Sequence, residues 1–182
     1  SVTNNTSGIF EGVVWGLNPS VNNDSNAVYN GIIEKNSSTI IFYGIRLNNV
    51  ANGNYISNVV VQGNTCSVSG GFCYAFRANS VGSSVNKNFF IDCKALNNTS
   101  IGGLSPNNIG FYANQTGNAS FIRCVASNNS TTSGTAIGLW IPSATGCIVR
   151  DCEFYENTGD SDANSYGILG DSGTMFYRNL AY

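Results

Sequence analysis

Apolar residues in this chain do not recur at helical spacing. They come in short runs rich in Val, Ile, Phe and Tyr, such as Ile56–Val61, Phe89–Ala95 and Ser120–Ala126. Short runs of this kind, separated by Gly, Asn and Ser, predict strands.

The runs repeat in a fixed order. A small residue followed by an apolar one stands at Gly16-Leu17, Gly44-Ile45, Ala75-Phe76, Gly110-Phe111, Gly138-Leu139 and Gly167-Ile168, at spacings of 28, 31, 35, 28 and 29. Asn followed by Ser or Thr stands at Asn5, Asn36, Asn64, Asn98, Asn129 and Asn157, at spacings of 31, 28, 34, 31 and 28. Between these markers fall Asn58-Val59, Asp92-Cys93, Arg123-Cys124, Asp151-Cys152 and Arg178-Asn179. Each unit therefore has the same internal order.

A unit of this length, with two or three short strands and no helix, cannot form a βαβ crossover. Winding each unit into one coil and stacking coils ~4.8 Å apart buries one face of every strand. The pattern predicts an all-β chain, a parallel β-helix of about six coils with 27–35 residues per coil, in one domain covering 1–182. An antiparallel sandwich also offers strands and turns, but it gives no reason for landmarks repeated in one order. Asn36, Asn64, Asn98, Asn129 and Asn157 are expected to form a structural ladder. Asn tolerates the left-handed conformation of a sharp corner, and its amide can bond to the Asn of the next coil. The last unit stops at Tyr182, before its Asn-Thr corner, so the chain is expected to be a segment of a longer protein or to have its ends covered.

These Gly-apolar and Asn-Thr columns resemble the right-handed parallel β-helix superfamily, the fold of pectate lyases, polygalacturonases, phage tailspikes and many bacterial surface passenger domains. The resemblance spans essentially the whole chain and implies a fold without implying an activity. Polygalacturonase-like members use an Asn-Thr-Asp triplet, an Asp-Asp pair and a Gly-His-Gly. This chain has no His and neither acidic motif. Pectate-lyase-like members use a Ca2+-binding carboxylate cluster with a basic residue, and the sequence places no such cluster on one face.

Charge narrows the function. Eight Lys+Arg against ten Asp+Glu, a net charge of -2, do not make the concentrated basic surface that nucleic acid requires. No apolar run reaches the length of a membrane-spanning helix. The polar mass is carried by 21 Gly and 28 Asn, while 10 Phe, 9 Tyr and 2 Trp provide enough apolar surface to oppose disorder. The ten or so Asn-x-Ser/Thr sequons follow from this composition and are not read as glycosylation.

Of the six cysteines, Cys93, Cys124 and Cys152 share one column and are expected to be inward thiols with poor geometry for pairing. Cys66 and Cys73 flank a Gly-containing loop, where a local disulfide and free thiols are both open. No His or Cys-x-x-Cys accompanies them, so neither a metal nor another cofactor is expected.

Asn30, Asn58, Asp92, Arg123, Asp151 and Arg178 form an axial row that alternates in sign over its last four members, which predicts an ion-pair ladder. Arg150 aligns with Ile91 and Ile122 and breaks simple alternation unless a corner lies nearby. The residues available for acid/base chemistry on a glycosidic bond are Asp151, Glu153 and Glu156, with Asp92 in the same axial row; further acids stand at Asp160, Asp162 and Asp171.

Asn18, Arg46, Arg77, Tyr112 and Trp140 each stand two positions after a small residue. They predict an exposed outer stripe of two arginines and two aromatics, suited to an acidic glycan.

Together these features point to a non-catalytic extracellular, cell-surface or virion-surface segment with a structural or adhesin-like role. A polysaccharide or host-surface glycan is the expected partner, along with neighbouring coils or copies at the open ends. The alternatives are a carbohydrate-binding or polysaccharide-degrading domain, as a lyase or glycoside hydrolase, and a self-assembling filament repeat.

Overall fold

The computed structural model describes residues 1–15, 25–49, 53–67, 72–80, 87–102, 107–114, 119–143, 146–160, 165–170 and 173–182. Every described strand pairing is parallel, and no helix occurs among the described residues. The chain is a parallel β-helix. Four inner coils are hydrogen-bonded to neighbours on both sides, with an edge coil at each end.

Three sheets form its walls, with seven, six and nine strands. The six-stranded sheet includes Tyr55–Ser57, Asn88–Ile91 and Ala119–Ile122; the seven-stranded sheet includes Val60–Gln62, Lys94–Leu96 and Val125–Ser127. Each run that reads as one strand in the sequence is thus two strands on two walls. The break falls at the charged row, where Asn30, Asn58, Asp92, Arg123, Asp151 and Arg178 all have φ between 46° and 55°. A left-handed residue turns the chain sharply while both of its neighbours keep extended geometry. This corner also accounts for Arg150: Ile91, Ile122 and Arg150 pair in register immediately before it, and Arg150 is exposed.

The second corner leads from the seven-stranded into the nine-stranded sheet. Its left-handed residues are Asn4 (57°), Lys35 (54°), Gly63 (58°), Asn97 (53°), Asn128 (54°) and Glu156 (52°). The expectation that the ladder asparagines themselves adopt this conformation is corrected here, because the residue before each of them does. That arrangement frees the ladder Asn to point inward. Asn98 donates from both its backbone N–H and its side-chain amide to Asn129 Oδ1, at 3.2 and 3.0 Å, and from the same amide to the Val61 carbonyl at 3.0 Å. Asn36, Asn64 and Asn129 repeat the pattern toward the next Asn, and Asn157 accepts from Asn129. Asn36, Asn64, Asn98 and Asn129 are buried, so each satisfies polar groups that would otherwise be stranded in the core.

In the nine-stranded sheet the long strand Ser37–Asn49 joins two rows. Thr65–Ser67 pairs with its start, and Phe72–Ser80 with the remainder. Between the two outward columns of the second row lie two consecutive inward ones. The first of these carries the small residues, because the seven-stranded wall comes close there. A Cβ on Gly44 would stand 2.5 Å from the Ala75 carbonyl oxygen and 2.8 Å from Val61 Cγ1. In the first coil Gly12 holds this place, with Val13 opposite Ile45, so Gly16 does not occupy the column as its spacing suggests. Gly16, Leu17 and Asn18 lie outside the described residues.

The interior is filled by stacked phenylalanines. Phe76 and Phe111 lie 4.8 Å apart at 8°, Phe90 and Phe121 5.1 Å apart at 15°, and Phe111 meets Phe121 edge-on at 5.6 Å. Each fully buried ring contributes about 1.5–3 kcal/mol by removal from water, and parallel in-register stacking repeats that contribution at every coil.

Val59, Cys93, Cys124 and Cys152 continue this core, and all six cysteines are buried free thiols. The Cys66–Cys73 disulfide that the sequence left open is therefore not formed. The Cys73 thiol hydrogen-bonds to Cys66 and pulls the Cys66 thiol down to about 7, whereas Cys73 itself is pushed up by that same pairing and by burial. The Gly-containing loop between Cys66 and Cys73 falls largely outside the described residues.

Candidate functional site on the outer face of the nine-stranded sheet

The charged row and the candidate acids are the first place to look for chemistry, and the structure commits most of them elsewhere. Arg123 grips Asp92 with two parallel bonds of 2.7 Å, and Arg178 grips Asp151 at 2.6 and 3.0 Å. These guanidinium contacts hold both carboxyls below the ordinary carboxylate value. Asn58 donates to Asn30 at 2.8 Å in the uncharged part of the row. The expected ladder is thus present as two separate ion pairs, with no salt bridge between Arg123 and Asp151 among the described residues. Glu153 and Glu156 are exposed at opposite ends of the short strand region Glu153–Tyr155, and Glu156 is itself a corner residue. Asp151, Glu153, Glu156 and Asp92 therefore do not converge on a common cleft. Asp162 and Asp171 lie outside the described residues. Among the described residues no three His, Cys, Asp or Glu side chains come together as a metal-binding group.

The stripe is assembled as the spacing implies: Arg46 pairs with Arg77, Arg77 with Tyr112, and Tyr112 with Trp140 on successive coils. Its expected exposure is corrected. Tyr112 is only 7% exposed, and Arg46, Arg77 and Trp140 are half-buried. The cause is the double inward step. With Gly44 and Ile45 both facing the core, Tyr43 and Arg46 flank a bend and lean together, placing the Arg46 guanidinium 4.7 Å from the Tyr43 ring centre.

The column on the other side of the bend is Tyr43, Tyr74, Ile109, Ile137 and Tyr166, which the sequence reading passed over. Tyr43 and Tyr74, 7% and 5% exposed, stack 5.5 Å apart. The signal was available, since each of these residues stands immediately before a small residue. Together the two columns make an apolar cluster on the outside of the wall.

The two arginines differ in their partners. Arg46 makes an ion pair with Glu11. Arg77 has no carboxylate partner among the described residues. Its guanidinium instead lies 5.3, 5.3 and 5.7 Å from the rings of Tyr43, Tyr74 and Tyr112, and Nη1 donates to the Tyr43 hydroxyl at 3.3 Å. In both arginines Nε is buried with no hydrogen-bond partner. Burial pushes the Tyr74 and Tyr112 phenols upward, so they stay neutral and offer ring faces rather than charge. At the far end of the stripe Trp140 meets Tyr112 edge-on at 5.3 Å and borders an open groove of about 360 Å³ shared with Ile141, Pro142, Leu169 and Gly170.

Fold and site together define the chain as a parallel β-solenoid with an aromatic and cationic outer face. Comparison with protein-family models, with curated proteins and with solved structures finds no match for it.

Proposed function

We propose that this chain is a non-catalytic β-helical segment of an extracellular, cell-surface or virion-surface protein, related to the right-handed pectate-lyase-like superfamily, which displays its nine-stranded face to a glycan. The observation that carries this reading is the outer face itself. A tyrosine-floored arginine and a half-exposed Trp140 beside an open groove form a platform on the outside of a wall whose core is already closed. Aromatic faces and guanidinium forks are the groups that bind sugar rings and their acidic substituents. The dispersal of the candidate acids supports binding over cleavage, because glycoside hydrolysis needs two carboxyls flanking one bond.

The test is a binding screen of the chain against neutral and acidic glycans, with Trp140→Ala alongside. Specific binding that disappears in the variant supports the display role. Silence across the array leaves a purely structural surface solenoid.

A second reading is end-to-end assembly into filaments, in which the parallel pairing that joins coil to coil continues from one copy to the next. Sedimentation showing monomer over a wide concentration range removes it.

A further inference from the structure

Two features single out Arg77 on this face: three tyrosine rings surround it, and no described carboxylate neutralises it. Its neighbour Arg46 shares the half-burial and the unpartnered Nε but has Glu11 as its counter-charge. A guanidinium partly withdrawn from water and without a counter-charge is incompletely satisfied by ring faces alone, and the planar anion that suits it is a carboxylate.

Geometry along the axis adds a second constraint. Arg77, Tyr112 and Trp140 occupy successive coils in register. The coil rise of ~4.8 Å sets Arg77 and Trp140 ~9.6 Å apart along the axis, the reach of two linked pyranose rings. Tyr112 lies between them as a nearly covered floor.

Resting on the glycan-display reading above, we infer that Arg77 is the anion-reading residue of this face: it takes the carboxylate of an acidic polysaccharide that lies along the helix axis, while a ring further along the same polymer packs at Trp140. Arg46, held by Glu11, sets the position of Tyr43 and does not read the ligand. The site favours polymers carrying a carboxylate on every ring or every second ring, and it discriminates against the same polymers once esterified, because an ester cannot accept a charge-assisted pair of bonds.

The experiment measures binding of the whole chain to hyaluronan, to hyaluronan methyl ester, to alginate, to dextran sulfate and to neutral dextran by biolayer interferometry. Expected is binding to hyaluronan and alginate, weakened about tenfold or more by esterification. Arg77→Gln should show the same loss and no longer distinguish free acid from ester. Arg77→Lys should recover only part, since it restores charge without the fork. Arg150→Gln, an exposed cation on another wall, should bind as the parent does. The ester comparison uses the unaltered protein, so it stands even if an Arg77 variant folds poorly.

Equal affinity for acid, ester and neutral dextran, with loss in Trp140→Ala, overturns the role of Arg77 and leaves the glycan reading intact. Preference for dextran sulfate with equal losses in Arg77→Gln and Arg150→Gln overturns it in favour of diffuse charge attraction. Binding to none of the polymers removes the glycan reading and this inference with it.

Discussion

Asn98 Oδ1 accepts two hydrogen bonds from Asn64, one from its backbone N–H at 3.2 Å and one from its side-chain amide at 2.9 Å. A single oxygen thereby closes both donors of a fully buried residue one coil away, and the same bonding recurs between successive members of the ladder. Replacing an inner member leaves polar groups on two adjacent coils without partners.

Asn98→Ala should therefore lower unfolding stability by about 3 kcal/mol or more, because each stranded buried group costs ~1–3 kcal/mol. Asn157→Ala, at a partly exposed position, should cost less. Urea denaturation of the two variants checks the order. An equal effect would mean that the ladder contributes little beyond capping its end.

Gly44 and Gly63 are predicted to respond differently to the same substitution. Gly44→Ala would drive a Cβ to 2.5 Å from a backbone oxygen, which the neighbouring wall cannot easily yield, and should cost about 2–3 kcal/mol. Gly63→Ala meets nothing within 4 Å but keeps a φ of 58°, so its cost is the ~1–2 kcal/mol of a left-handed residue. Gly63→Asn should be better tolerated than Gly63→Ala, since Asn97 and Asn128 occupy the same corner on later coils. Thermal melts of the three variants provide the comparison.

Removing an inner ring from the stack should be more damaging than either. Phe121→Ala is expected to lose about 3–5 kcal/mol, because Phe121 contacts both Phe90 and Phe111 and the surrounding coils are too regular to collapse into the void. Chemical denaturation of this variant measures the loss directly.

The corner ion pairs predict a pH dependence of definite sign. Asp92 and Asp151 have folded values below the ordinary 3.8, held there first by the side-chain bonds from Arg123 and Arg178. A depressed carboxylate stabilises the fold above its unfolded value and loses that contribution as pH falls through the folded one. Stability should therefore be level on this account near neutrality and decline below about pH 4, the range where unfolded carboxylates begin to protonate. The Asp92→Asn, Asp151→Asn double variant should show a shallower decline. Both pairs are largely solvent-exposed, so the effect should be small and weakened further by salt.

All six cysteines should be recovered as thiols when the protein is denatured under non-reducing conditions with a trapping alkylator. In the folded state labelling should be slow at every site, as burial excludes the reagent. Recovery of only four thiols, with residues 66 and 73 protected, would show that the pair oxidises in the protein as isolated.

Much of this architecture was legible from spacing because a solenoid repeats its contacts at each coil. The coil period, the Asn36 to Asn157 ladder, the inward thiol column and the alternating ion pairs all follow from residues recurring in order. A second ladder escaped attention although it obeys the same arithmetic. Asn26, Asn54 and Asn88 bond in series at separations of 28 and 34, and each stands ten positions before Asn36, Asn64 or Asn98. It was missed because the column changes to Ala119 and Cys147 on the following coils, ending the signal after three members.

What the sequence determined by itself is the repeat: which residues share a column, and hence which like groups must meet across coils. Tertiary structure decided where the chain turns within each repeat. Left-handed corners split single apolar runs between two walls and moved the turn from the ladder Asn to the residue before it. The register of the first strand pair, shifted between Ser7 and Ile9, made Gly12 rather than Gly16 the first small residue of its column. Val61 lies close against Gly44, two successive positions there face inward, and Tyr43 lies against Arg46 with Tyr112 covered. Column membership depends on spacing along one chain. Bend angles depend on contact between opposite walls, which no local pattern encodes.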